Sequence, residues 1–223
     1  MEKIFKKIQN AAEKEMSCTA HGIDHVLRVY NLALHLAENE DVDLDVLKAA
    51  VLLHDIARAK EDSDSTGRTD HALLGAELCV PILKKVDFPN EKISRVQECI
   101  ASHRSRSEND QKTIEAKILF DADKLDGLGA IGMARAFIWV GENGAQMYRD
   151  IDAETYAKEN LGGKLNGRIR DKTRHSPQLE YKTRTIFIIE KLHTAQAKKI
   201  GKERLAYLEN FLKRLEREIK GEL

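Results

Sequence analysis

The feature that most constrains this chain is a run of apolar residues ending in a histidine–aspartate pair, AAVLLHDIAR at residues 49–58. Ala49 to Leu53 would be apolar on every side of a helix, which places that helix in a core. His54 and Asp55 then set two titratable groups where water is scarce. A buried carboxylate without a partner is costly, so something cationic must face Asp55. The rest of the chain has to supply what holds it.

Helical periodicity surrounds this run. Ile4, Phe5, Ile8 and Ala12 share a face of an amphipathic first helix. Val26, Val29, Leu32, Ala33, Leu36 and Ala37 recur at three- and four-residue steps over residues 22–39. Asp43 is placed to cap a helix from Leu44 to Ala59. Helices are expected from about Asp70 to Val86 and from Glu91 to Ser102, separated by Pro89-Asn90. A long helix, TIEAKILFDADKLDGLGAIGMARAFIWV, follows. Glycines 127, 129 and 132 weaken it by about 1 kcal/mol each relative to alanine, so they are expected where a backbone or ligand approaches closely.

Residues 141–176 change character, with glycine pairs and Asn-Gly turn signals. This stretch reads as a long irregular excursion with room for a small hairpin, and as a candidate lid. Helices are expected again at about 178–193 and 195–219, the second capped by Thr194, as an antiparallel pair. The reading is an all-α single domain over residues 1–223, with its core at about 20–140.

With 42% hydrophobic residues the chain can build a real core. Its 37 basic and 37 acidic residues cancel, which removes the usual footprint of a nucleic-acid binder. No apolar run approaches the roughly 20 residues of a membrane helix. Three scattered cysteines, Cys18, Cys79 and Cys99, without a C-x-x-C, point to a reducing, cytoplasmic setting.

Imidazole and carboxylate together are metal ligands, and a divalent ion would neutralise a buried Asp55. Further candidates lie at the ends of neighbouring apolar helices. His25 stands four residues after His21, Asp121 and Asp123 follow ILF, His71 opens one helix and His103 closes another. Each alone is more often a cap, an ion-pair partner or a solvated group. Several at the ends of helices that share one core point to a metal site.

The order His25, His54-Asp55, Asp123 resembles the H…HD…D signature of the HD superfamily of metal-dependent phosphohydrolases. The local wording is similar too: H-x-x-R-V at His25, A-x-L-L-H-D-I-A around the pair, and DADKLDGLGAIGMAR from Asp121. The last string resembles a branch of small bacterial HD hydrolases that includes nucleotide pyrophosphohydrolases. The resemblance implies a helical bundle in which His25, His54, Asp55 and Asp123 bind a divalent metal (Mn, Fe, Mg, Co, Ni or Zn), with Asp121 as fallback for the last ligand. His71 and His103 fall where some relatives place ligands for a second ion. They stand equally well as holders of a substrate phosphate; a purely structural role is the lesser alternative.

The implied reaction is attack of a metal-activated water on phosphorus in a nucleotide or other small phosphate ester. Arg28, Lys124 and Arg104 are candidates to neutralise the phosphate, and Arg58, one turn after His54, can reach the same site; Arg104 and Arg106 sit in a loop, where solvated charges are the rule. Asp126 and Asp24 are candidates to orient a ligand histidine or to act as general base. Phe137, Trp139, Tyr148 and Tyr156 can stack a nucleobase if the excursion folds over the site, or fill a core. A di-iron oxygenase and a non-catalytic metal- or nucleotide-binding sensor are the rival readings. A homo-oligomer is compatible with the C-terminal helices; a membrane or nucleic-acid partner is not expected.

Overall fold

The computed structural model describes residues 2–16, 22–104 and 110–223; Cys18, His21 and Arg106 lie outside the described residues. The chain is all-α, and the described residues contain no strand. No described helix is long and apolar enough to cross a membrane. The backbone groups into two compact units, Met1–Asp123 and Lys124–Leu223.

In the first unit, α1 (Glu2–Glu15) buries Phe5, Ile8 and Ala12. It is followed by α2 (Ile23–Ala37), α3 (Leu44–Leu53), α4 (Arg58–Ser63), α5 (His71–Lys85) and α6 (Asn90–Ser102). The next helix, α7 (Ile114–Asp126), carries the chain from the first unit into the second. Central α3 packs against α1, α2 and α6, and α5 packs on α6. Asp43 caps α3 as expected, its Oδ1 accepting from the amides of Asp45 and Val46 at 3.1 and 3.3 Å. Asp70 caps α5 in the same way, at 2.9 and 3.3 Å.

One expected boundary moves, and it matters for the site. The helix from Leu44 does not run to Ala59 but stops at Leu53, and residues 54–57 form a turn before α4. Every residue from Val51 to Ala57 is nonetheless buried. His54 and Asp55 therefore sit in a buried turn at the inner end of a core helix.

The long helix expected after residue 113 is two helices, α7 and α8 (Gly129–Glu142). Gly129 at φ +68° makes the break, a backbone region that side chains disfavour. Gly132 fulfils the expected close approach, because a Cβ there would lie 2.1 Å from the Gly127 carbonyl oxygen. The excursion contains a helix, α9 (Ala153–Asn160), and a 3-10 turn at Lys172–Arg174 in place of a hairpin. The helix expected at 178–193 is broken into α10 (Pro177–Thr183), a 3-10 turn at Thr185–Phe187 and α11 (Ile188–Lys191). The last helix, α12 (Ala195–Ile219), begins at the Thr194 cap, packs mainly on α8, and also meets α11.

Tyr156 is fully buried in a small core with Ala157, Leu161 and Leu179. Its hydroxyl meets His175 Nδ1 at 2.7 Å and accepts from Asn160 Nδ2 at 2.9 Å. Tyr156 therefore fills a core and is not available to stack a base.

Candidate metal centre

Two helix starts and two helix ends in the first unit converge on Asp55. His25 enters from the first turn of α2, His54 and Asp55 from the turn after α3, His71 from the first residue of α5, and His103 from the C-cap of α6. All five are buried. The imidazoles form a chain, with ring centroids 5.4 Å apart for His25 and His54, 5.1 Å for His54 and His103, and 5.1 Å for His103 and His71.

The two oxygens of Asp55 face different pairs of rings. Oδ2 lies 3.7 Å from His25 Nε2 and 3.6 Å from His54 Nε2. Oδ1 lies 3.5 Å from His71 Nε2 and 3.6 Å from His103 Nε2. Two groups able to hold an ion result, His25–His54–Asp55 and Asp55–His71–His103, with Asp55 common to both. Asp123 joins the first through His25, its Oδ1 3.3 Å from His25 Nε2. Asp121, the fallback, is fully buried.

The rings are oriented to offer lone pairs. His54 Nδ1 donates to the Val51 carbonyl at 2.8 Å, and His103 Nδ1 donates to the Ile100 carbonyl at 2.6 Å. His71 Nδ1 donates to the carboxylate of Glu61 on α4. A neutral imidazole has one N–H, so each of these three presents an unprotonated Nε2. His54 Nε2 is buried and has no hydrogen-bond donor among the described residues. Lone pairs held buried, with the opposite ring nitrogen donating to a carbonyl or carboxylate, are the arrangement of metal-ligating histidines. The donor set of imidazole nitrogens and carboxylate oxygens fits a divalent transition metal or zinc.

Burial and the neighbouring groups shift the titration of three groups at the site. Burial, with His103 and His25 nearby, lowers the His54 pKa to about 4 despite Asp55 and Asp123, so the ring is neutral at physiological pH. Burial alone would raise the Asp55 carboxyl, but the imidazoles of His54, His103 and His25 hold it well below the usual carboxylate range. Burial also pulls Glu61 upward; its bond to His71, with Arg104 and Arg58 beside it, brings it down to about 2.

Glu61 is the site residue that sequence reasoning missed. It lies in KEDSDSTGRTD, which reads as a polar loop, and no periodicity marks it. The available signal was chemical: a carboxylate six residues after Asp55, needed by the second nitrogen of a ligand histidine. Arg104, expected to meet phosphate, bridges Glu61 Oε1 at 2.9 Å and Asp70 Oδ2 at 2.8 Å. Arg58 approaches Glu61 at 3.4 Å and feels the charge of both Asp55 and Asp123. Arg28 is half-buried on α2 and Lys124 half-buried on α7, while Asp24 is exposed. Asp126 is buried and accepts from Arg135 Nη1 at 2.8 Å, both in the second unit.

An all-α fold with a buried His/Asp cluster able to hold a metal ion defines a helical protein with a candidate metal centre. Residues 22–128 match the family model of the HD domain, and the chain is similar over nearly its whole length to solved HD-superfamily hydrolases. It is similar along its length to YpgQ of Bacillus subtilis strain 168, 27% identical over 99% of this chain and 94% of that protein. A crystal structure of B. subtilis YpgQ in complex with ADP matches with a TM-score of 0.69 at 24% identity, covering 97% of this chain and 95% of that one. An HD-superfamily hydrolase from Bacillus thuringiensis matches with a TM-score of 0.68 at 26% identity, covering 98% and 97%. A predicted HD superfamily hydrolase from an uncultured Thermotogales bacterium matches with a TM-score of 0.60 at 26% identity, covering 98% and 92%.

Proposed function

We propose that this protein is a metal-dependent phosphohydrolase that cleaves a phosphate ester or phosphoanhydride of a small molecule, a nucleotide first among them. The observation that carries the reading is Asp55, whose two oxygens face two separate pairs of buried histidines. In this reading His25, His54, Asp55 and Asp123 hold one ion, and Asp55, His71 and His103 a second. Divalent ions bound there supply Lewis acidity towards a phosphoryl oxygen and acidify water.

The chain's own groups do the remaining work. The carbonyls of Val51 and Ile100 and the Glu61 carboxylate keep the proton on Nδ1 of His54, His103 and His71. Arg58 borders the cluster with a charge that can be shared with an incoming phosphate, and Arg28, Arg104 and Lys124 are assigned the same task. Asp126 is assigned as general base or orienting carboxylate. The ADP held by YpgQ supports a nucleotide as substrate class.

The test is hydrolysis by the manganese-loaded wild type and Asp55→Ala across nucleoside triphosphates, monophosphates and a generic phosphate ester, with phosphate and pyrophosphate read separately. Product from the wild type and none from the variant is the expected result, and it names the bond cut. Silence from both with metal bound, and oxygen uptake on iron loading, would replace the hydrolase with an oxygenase.

A further inference from the structure

The two triads differ in what supports them. The group at His25, His54 and Asp55 has Asp123 beside it, so two carboxylates serve that position. Among the described residues, the group at Asp55, His71 and His103 contains a single carboxylate, the shared Asp55. Two positive charges brought to the second position therefore meet less negative charge there. Glu61 supplies it from the far side of the His71 ring, through Nδ1. The corresponding nitrogens of His54 and His103 donate to neutral backbone carbonyls, so among these three rings only His71 is backed by a charge.

The support is itself fixed in place. Glu61 Oε2 takes the His71 N–H and a 3.4 Å contact from Arg58 Nη1. Its Oε1 pairs with Arg104 Nη2 at 2.9 Å, and Arg104 is tied by its other amino group to Asp70, the cap of the helix that His71 opens. One cluster thus sets the angle of His71, the tautomer of its ring and the electron density at its Nε2. A histidine backed by carboxylate is a stronger donor to metal than one backed by a carbonyl.

Resting on the two-ion reading above, we propose that Glu61 is a positioning residue that makes the second metal position competent. It acts through His71 and decides whether the protein carries one ion or two. The first position fills first, and the second fills at higher metal concentration, at an affinity set by Glu61.

The experiment is equilibrium dialysis of the full-length protein against manganese(II), with bound metal counted by mass spectrometry, and low-temperature electron paramagnetic resonance for the coupled signal of a neighbouring pair. The wild type is expected to bind two ions in two steps. Glu61→Gln keeps size and hydrogen-bonding capacity but removes the charge, and is expected to weaken only the second step, by about 10–100-fold, with loss of the coupled signal. Retention of the first step in the same titration shows that the variant is folded. Arg104→Gln loosens Glu61 but keeps its carboxylate beside His71, and is expected to weaken the second step clearly less than Glu61→Gln does.

A second step unchanged in Glu61→Gln overturns the inference and leaves the two-ion reading standing. A second step lost equally in Arg104→Gln also overturns it, because the effect then belongs to the ion-pair cluster as a whole. A wild type that binds a single ion at saturating manganese overturns the two-ion reading and the inference with it.

Discussion

The Nε2 atoms of His71 and His103 lie 3.2 Å apart, although both rings have committed their Nδ1 protons elsewhere, to Glu61 and to the Ile100 carbonyl. Two lone pairs at that separation repel unless a proton or a metal ion stands beside both. Asp55 Oδ1, within 3.5 and 3.6 Å of the same two nitrogens, completes a three-donor set around the shared space. The arrangement explains the buried carboxylate that the AAVLLHDIAR stretch poses as a problem.

His103→Ala is expected to reduce manganese stoichiometry from two to one per chain and leave the first step intact. Its side chain belongs to the second group alone. Metal counting by mass spectrometry after dialysis checks this; loss of both ions would show that the two positions are not separable.

Asp55→Ala removes the donor common to both groups and is expected to abolish metal uptake. Losing Lewis acid assistance worth several kcal/mol corresponds to roughly a thousandfold or more in kcat/KM. The comparison is made on whichever substrate the wild type turns over, with circular dichroism to confirm the fold.

Removing metal should lower thermal stability, because ions that bind only the folded chain add to its free energy. At a free metal concentration 100-fold above Kd the gain is about 2.7 kcal/mol, or roughly 5–10 °C in Tm for a chain of this size. A scanning melt with manganese against one with a chelator reads the difference.

The metal-free protein is expected to lose stability in acid in two windows. Unfolded His54 takes up a proton near pH 6.5 and buried His54 only at about 4, so between these the unfolded chain holds the extra proton and acid favours it. Glu61 titrates at about 2 in the fold against 4.5 unfolded, so the stability it contributes is present above 4.5 and lost as pH falls towards 2. Denaturant midpoints from pH 7 to 3 should fall, and Glu61→Gln should flatten the lower part of that fall.

Gly132→Ala tests the packing of the second unit. A Cβ at this position would stand 2.1 Å from the Gly127 carbonyl oxygen and 2.4 Å from its carbon, which are backbone atoms that cannot rotate away. Overpacking of this kind costs about 1–3 kcal/mol or more, so Tm should drop by several degrees with the metal stoichiometry unchanged.

The ligand candidates were legible in the sequence because each follows or opens a strongly apolar helical run: His25 before VLRV, His54-Asp55 after AAVLL, Asp123 after ILF, and His71 before ALL. Their grouping into two sets around Asp55 was implied by the family resemblance alone, beside the phosphate-holding alternative, and not by the residue pattern. Which Asp55 oxygen faces which ring depends on the turn at residues 54–57, where helical periodicity ends. Glu61 escaped for the same reason, since a six-residue helix inside a polar stretch leaves no hydrophobic pattern. The division of α7 from α8 was half visible. Gly127, Gly129 and Gly132 announced a close approach, but only the left-handed backbone at Gly129 turned weakness into a break.

The central claim is that Asp55 bridges two metal positions, and the most direct measurement is anomalous diffraction at the manganese edge from a manganese-loaded crystal of the wild type. The account predicts two peaks, one between Asp55 and the His25–His54 pair and one between Asp55 and the His71–His103 pair. A single peak at His25 and His54, with His71 and His103 bonded to something other than metal, would contradict it.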